Sequence, residues 1–288
     1  MKKNYFFVKT NNHLNNFILK LFLSKTGFNA EETTTEELFK NFNSFIEDKN
    51  NIPIFYGILR NCYQLMEKLK EKNHDFLYVD HGYFSKRKDN ISNYYRIVKN
   101  DRYFCGKLYP NLSEKRYNIF KNDFHENFKK LSLSNKENII IIPPSPYICN
   151  YLPLNYLQWI DNINEKIKKY IKNKNIIIKL KNENSIPLEK MLDNCYLMIH
   201  HSSMSSIKAI SNCIPVITAN DDFFLKKYFD LNINYLINDF KFLEEKITEK
   251  YFTIKDLLLN LSFRQFTIEE IQNGFAREKI EYMYFNDI

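Results

Sequence analysis

Glycine is scarce in this chain, five in 288 residues, and the shortage excludes several activities. A dinucleotide-binding G-x-G-x-x-G turn and a phosphate-cradling P-loop both need glycines at fixed short spacing, and neither pattern occurs. The G-x-S-x-G elbow of serine hydrolases and the H-E-x-x-H zinc helix are also missing. Cysteine is sparse, odd in number and widely spaced: Cys62, Cys105, Cys149, Cys195 and Cys213. No two have metal-finger spacing, so free thiols in a reducing compartment are expected. Long apolar runs are lacking as well. A run such as Ile139–Ile142 falls far short of the roughly 20 residues that cross a bilayer. Asn11, Asn12, His13, Asn15 and Asn16 interrupt any signal-peptide core after the opening Met-Lys-Lys. The expectation is a cytoplasmic protein with no transmembrane segment.

Aromatics, by contrast, are abundant: 25 Phe and 20 Tyr make up most of a 16% aromatic share, enough for a large core. The length is near the point where one core divides into two lobes. Asn, Lys, Ile and Tyr are over-used, as an AT-rich genome produces. The net charge is +8. Residues 1–136 hold 24 basic and 15 acidic residues, and residues 137–288 hold 18 and 19. Lys86 to Lys136 alone has 13 basic and 5 acidic residues. Tyr94, Tyr95, Tyr103, Phe104, Tyr109 and Tyr117 lie among them. Basic groups steer anionic partners, and interleaved rings stack on bases or sugars. An anionic acceptor, DNA included, is one reading; a solvated face of a Lys-rich chain is the other.

Hydrophobic periodicity gives alternating elements. Lys3 to Lys9 reads as a strand, Asn12 to Ser24 as a helix and Thr35 to Glu47 as a second helix capped by Thr33, Thr34 or Thr35. A strand at Ile52 to Ile58, a helix from Arg60 to Glu71 and a buried strand from Asp75 to Asp80 follow. That alternation predicts a parallel sheet. After a less regular middle, which includes a strand at Tyr94 to Val98 and a helix at Ser113 to Lys121, strand Asn138 to Ile142 opens three βα repeats. Helices are expected at Asn155 to Ile171, Pro187 to Asp193 and Ser203 to Asn212, and strands at Ile176 to Leu180, Tyr196 to His200 and Pro215 to Thr218. The fold class is thus α/β: two Rossmann-like lobes with parallel sheets. The first lobe is placed at 1–136, the second at 137–265. A C-terminal helix at 266–288 is expected to pack back on the first.

The chemistry concentrates at Tyr196 to Thr218. A buried strand ends in His200, His201, Ser202 and Ser203, and a helix follows. The first N–H groups of a helix are unpaired and, with the dipole, attract anions. Ser202 and Ser203 supply hydroxyls, either to a phosphate or simply as N-caps. Ligands of open α/β sheets bind beyond the carboxyl ends of strands. Two further strand ends reach the same edge: Pro143-Pro144-Ser145-Pro146, and Lys179 with Lys181, which share a strand face. His200 and His201, being adjacent on a strand, point to opposite faces and cannot chelate one metal together, so no metal site is assigned. In the first lobe Asp80 ends a strand and Gly82 allows a sharp turn. Asp80 or His81 can serve as a base for an acceptor hydroxyl, or can be a turn-forming carboxylate and a structural histidine. Arg96 suits a phosphate or a carboxylate.

The run of apolar strand, His-Ser-Ser, helix and Ile214-Pro215-Val216-Ile217 resembles the donor-binding segment of GT-B glycosyltransferases of the capsule and lipopolysaccharide type. Cys213 stands where that group usually has glycine. Asp80-His81-Gly82-Tyr83-Phe84, Tyr94-Tyr95-Arg96, Pro143-Pro144-Ser145 and Gln265-Phe266-Thr267 with Glu270-Ile271 and Gly274 also resemble, in order, a glycosyltransferase-like group common in phage and bacterial genomes. The likeness spans about residues 52 to 276. It implies metal-independent sugar transfer on a GT-B-like fold, with a nucleotide sugar as co-substrate and no cofactor. Ser145, Lys179, Lys181, His200, His201, Ser202 and Ser203 would bind the donor. Asp80 and His81 would be catalytic, and Arg96, Tyr83 and Tyr95 would contact acceptor or phosphate. The acceptor would be a polysaccharide, a lipid-linked glycan or a modified DNA base. A binding protein of the same fold without turnover is the competing reading.

Overall fold

The computed structural model describes residues 2–10, 13–84, 87–88, 91–104, 108–109, 112–119, 124–150, 154–180, 186–221, 223–229 and 239–285. The chain divides into two compact α/β units. Met1–Leu108 with Asn260–Ile288 form the first, and Tyr109–Leu259 the second.

In the first unit, strands β1 (Asn4–Lys9), β2 (Glu31–Thr34), β3 (Asn51–Tyr56) and β4 (Leu77–His81) are followed by the short pair β5 (Arg87–Lys88) and β6 (Ile91–Ser92), then β7 (Tyr95–Lys99). The sheet order is β12-β7-β4-β3-β1-β2, where β12 is Gln265–Phe266. Strand residues alternate between two cores, as a period of two requires. Phe7, Ile54, Leu77 and Val79 face one core, with Ile18 and Phe22 of α1 (His13–Phe22). Val8, Phe55 and Tyr78 face the other. Helices α2 (Thr35–Lys40), α3 (Phe42–Glu47) and α4 (Cys62–Glu71) cover that second face. The single helix expected over Thr35 to Glu47 is thus two, divided at Asn41. Thr34 is the cap, and its hydroxyl and the Glu37 carboxylate satisfy each other's backbone N–H groups.

The second unit contains α5 (Glu114–Ile119), α6 (Phe124–Lys129), β8 (Asn138–Ile142), α7 (Pro146–Cys149), α8 (Tyr156–Tyr170), β9 (Asn175–Ile178), α9 (Leu188–Leu192), β10 (Cys195–His200), α10 (Ser205–Ser211), β11 (Val216–Thr218), α11 (Leu225–Tyr228) and α12 (Phe240–Glu249). Its sheet, β11-β10-β8-β9, is parallel throughout. Every residue of β10 is buried, and Trp159, Ile160, Ile163 and Ile167 bury one face of α8. Each such side chain contributes roughly 1.5–3 kcal/mol. The division between units falls inside α13 (Tyr251–Ser262), and α14 (Ile268–Gln272) and α15 (Phe275–Tyr284) complete the first unit.

The expected parallel pairing holds across β2-β1-β3-β4, with antiparallel strands added at one side, and two expected bounds are corrected. The first sheet is mixed, because β7 and β12 run antiparallel. No crossover helix is described between β4 and β7, and parallel pairing needs such a crossover. The boundary expected at 136/137 lies at Leu108/Tyr109. Phe124 and Phe128 pack on Tyr251, at 5.3 and 4.4 Å, and the Leu133 N–H donates to Glu244 at 2.7 Å, so residues 109–136 belong with the second core. Residues 260–265 join the first unit, since β12 pairs with β7. This redistribution removes the charge asymmetry: each unit carries 21 basic and 17 acidic residues.

Candidate functional site

In the second unit the chain leaves β8 through α8 to reach β9 on one side. It returns through α9 to β10 on the other, which makes β8/β10 the topological switch point. Ligands of open α/β sheets lie outside the carboxyl ends of the strands at such a point. Pro143-Pro144-Ser145 follows β8 there, and His201-Ser202-Ser203 follows β10.

His200 is fully buried. Its Nδ1 accepts the Ser203 N–H at 3.0 Å, which places the ring proton on Nε2, 3.1 Å from the Thr218 hydroxyl. Burial, and next the adjacent His201, push its pKa down to about 3. His200 is therefore a neutral strut that folds the loop back over the strand end. That fold-back delays the helix: α10 begins at Ser205, not Ser203, and Met204 is its N-cap residue. Ser203 Oγ accepts the Ser205 N–H at 3.2 Å. Ser202 Oγ lies 3.0 Å from His201 Nδ1, and the His201 ring meets Trp159 edge-on at 6.0 Å. The two histidine rings thus have different neighbours, since Phe223 packs on His200 at 5.0 Å. Ser202 and Ser203 are half-buried. Ser145 caps α7, accepting the Ile148 N–H at 3.4 Å. Lys179 donates to the Ile186 carbonyl at 3.3 Å. Lys181 lies outside the described residues.

Cys213 adopts φ +56°, the left-handed turn for which glycine is the usual occupant. Its buried thiol faces the Phe124 carbonyl at 3.8 Å.

The first unit repeats the same connectivity, with sheet order β2-β1-β3-β4. At the end of β4, Asp80 pairs with Arg96 of β7 at 2.8 Å, and the two are cross-strand partners. Asp80 also accepts the Tyr78 hydroxyl at 2.9 Å and the His81 N–H at 2.7 Å. Burial raises the Asp80 pKa, but Arg96 and these donors outweigh it and hold the carboxyl below its ordinary value. Arg96 donates to the His81 carbonyl at 2.6 Å. Both backbone groups of His81 are thereby fixed by the ion pair. The His81 ring contacts the Ser92 hydroxyl through Nδ1 and stacks on Tyr95 at 6.3 Å. Tyr95 is fully buried, and its oxygen accepts the Ser92 N–H at 3.4 Å. Tyr83 is buried and donates to the Tyr103 carbonyl at 2.5 Å. Asp80, His81, Tyr95 and Arg96 therefore form one cluster, with the Tyr83 ring beside Arg96 at 5.8 Å.

Sequence reasoning missed Ser92, for which no local signal exists. It found Gln265 only as part of a motif. Gln265 Oε1 accepts the Phe84 N–H at 3.1 Å and lies where a Gly82 side chain would be, 2.6 Å from an added Cβ. Of the basic stretch from Lys86 to Lys136, Lys86, Lys107 and Lys121 lie outside the described residues. Of its aromatics, Tyr95, Phe104 and Tyr117 are core residues. Among the described residues no helix is long and apolar enough to cross a membrane.

No family model matches the chain, and no curated protein matches it by sequence. Solved structures do. Thermosulfurimonas dismutans KpsC, a β-Kdo 2,4 transferase, superposes with a TM-score of 0.53 at 10% identity, over 97% of this chain and 99% of that one. KpsC of the same organism described as a β-Kdo 2,7 transferase gives a TM-score of 0.48 at 10% identity, over 96% and 100%. The first likeness, at that identity, shows a shared fold: two Rossmann-like units in a single chain.

Proposed function

We propose that the chain is a glycosyltransferase that moves a sugar from a nucleotide-sugar donor to a hydroxyl acceptor, without a metal. The observation that carries this reading is the shared fold with a Kdo transferase over nearly the whole of both chains. The polar loop at the β8/β10 switch point supports it. In this reading Ser202 and Ser203 hold the donor phosphates, and hydroxyl donors fixed in advance stabilise the charge that develops on the leaving group. His200 holds the loop that presents them.

His81 takes the acceptor proton. Asp80 suits that task less well, because its oxygens already accept from Arg96, Tyr78 and His81 and its basicity is lowered. An imidazole is better matched to proton transfer near neutral pH. Asp80 and Arg96 then act as positioning residues.

The test is a panel of nucleotides and nucleotide sugars, activated Kdo included, against the full chain. Melting temperature and product are the readouts, with and without EDTA. At least one donor is expected to raise the melting temperature and to be turned over equally with EDTA. If none raises it at saturation, the reading fails. Replacing His81 with Gln is expected to lower turnover by about 10²–10⁴-fold while donor-induced stabilisation persists; undiminished turnover would remove His81 from the mechanism.

A further inference from the structure

Two arginines, Arg96 and Arg102, stand near the end of β4 and a third, Arg60, lies on the turn after β3, and they are used differently. Arg96 is buried, ion-paired with Asp80 and bonded to backbone carbonyls. Arg102 is half-buried and Arg60 is exposed. Among the described residues neither of these two pairs with a carboxylate. Asp101, the acidic neighbour of Arg102, instead accepts the Tyr103 N–H at 2.7 Å.

The Arg102 guanidinium lies over two tyrosine rings, Tyr63 at 5.1 Å and Tyr103 at 5.2 Å. Tyr63 is in the first turn of α4, which follows the carboxyl end of β3. β3 borders the β1/β3 switch point of the first sheet, where ligands gather. Arg60 precedes Tyr63 by three residues, on a turn in which Gly57, Arg60 and Asn61 all have positive φ. The backbone under Arg102 is fixed by buried groups: Arg96 donates to the Arg102 carbonyl at 3.3 Å, and Tyr83 to the Tyr103 carbonyl. A guanidinium held over two aromatic rings, and not committed to a carboxylate, suits a planar or tetrahedral oxyanion.

We infer that Arg102 and Arg60 form an oxyanion site in the first unit that takes the carboxylate or phosphate of an acidic sugar. That the sugar is the acceptor rests on the transferase reading; the site itself does not.

The experiment is calorimetric titration of the full chain with glucuronate, glucose 6-phosphate and glucose, which share a skeleton and differ in their acid group. At least one acid is expected to bind about 10-fold or more tighter than glucose. The preferred acid identifies the anion as carboxylate or phosphate. Arg102→Gln and Arg60→Gln are each expected to weaken that acid by about 10- to 100-fold and leave glucose unchanged. Arg60 is exposed, so its variant keeps the test valid if Arg102→Gln fails to fold. Equal binding of glucose, no binding of any probe at millimolar concentration, or unchanged acid affinity in both variants would overturn the site. Acid binding lost in the variants of a chain that turns over no donor would keep the site and sink the transferase. Turnover with an unchanged acceptor KM in both variants would do the reverse.

Discussion

Adjacent residues of one kind can be given unlike chemistry by their partners, as His200 and His201 show. His200 is held neutral down to about pH 3 by burial, whereas in the unfolded chain a histidine titrates near 6.5. Between those values the unfolded state binds the extra proton. Stability is therefore fully present above about pH 6.5 and declines as pH falls, by up to roughly 1.4 kcal/mol per unit. Urea titrations from pH 7 to 4 should show that slope, and His200→Gln should flatten it. At Cys213 a β-branched residue should be worse tolerated than glycine, because left-handed backbone strains such side chains most. Cys213→Val is expected to lose about 2 kcal/mol or more, and Cys213→Gly markedly less, in paired denaturation curves. The sequence disclosed the importance of the His200–Ser203 run, because a cluster of polar residues at a strand end is a local pattern. It could not disclose that His200 is a strut, since Thr218 and Phe223 come from farther along the chain. The Cys213 departure from glycine was visible in the sequence, and the chain keeps the left-handed turn in spite of it.

Strand β4 is tied to its antiparallel neighbour β7 by the Asp80–Arg96 pair, which also fixes the backbone of His81. Removing one member leaves the other charge largely buried, so Arg96→Gln should cost about 3–5 kcal/mol. The double variant with Asp80→Asn should cost less than the sum of the single changes, as a double-mutant cycle would measure. The turn after β4 is equally constrained. An alanine at Gly82 would place its Cβ 2.6 Å from Gln265 Oε1 and 2.9 Å from Tyr94 Cβ. A loss of a few kcal/mol is expected from Gly82→Ala, read from the thermal midpoint. Most long elements were legible, because α1, α4, α8 and the buried strands carry clear periods. β2 was not: Glu31-Glu32-Thr33-Thr34 is an exposed edge strand with no apolar alternation. β12 was not either, since two residues carry no period and its pairing with Arg96 and Tyr95 is long-range.

Across the whole molecule the charge that is concentrated in the first half of the sequence is shared equally between the folded units. A broad basic field for DNA loses its main support, and discrete arginines take its place. Duplex DNA should be retained weakly or not at all near 150 mM salt, in contrast to the affinity of a protein with many phosphate contacts. The alternation of strands and helices gave both units. The boundary between them was illegible because it depends on which core receives Phe124, Leu133 and Phe266, a matter of distant contacts.

The first unit is assembled from two stretches of chain that flank the whole of the second. During synthesis the strand β12 and helices α14 and α15 emerge only after every residue of the second unit has been made. Folding on the ribosome therefore has a set order: the later-starting unit can close first, while the earlier one waits with an open sheet edge beside β7. Until β12 arrives, Tyr95 and its neighbours expose the apolar surface that chaperones recognise. A nascent chain arrested before Asn260 should accordingly yield a protease-resistant second unit and a digestible first.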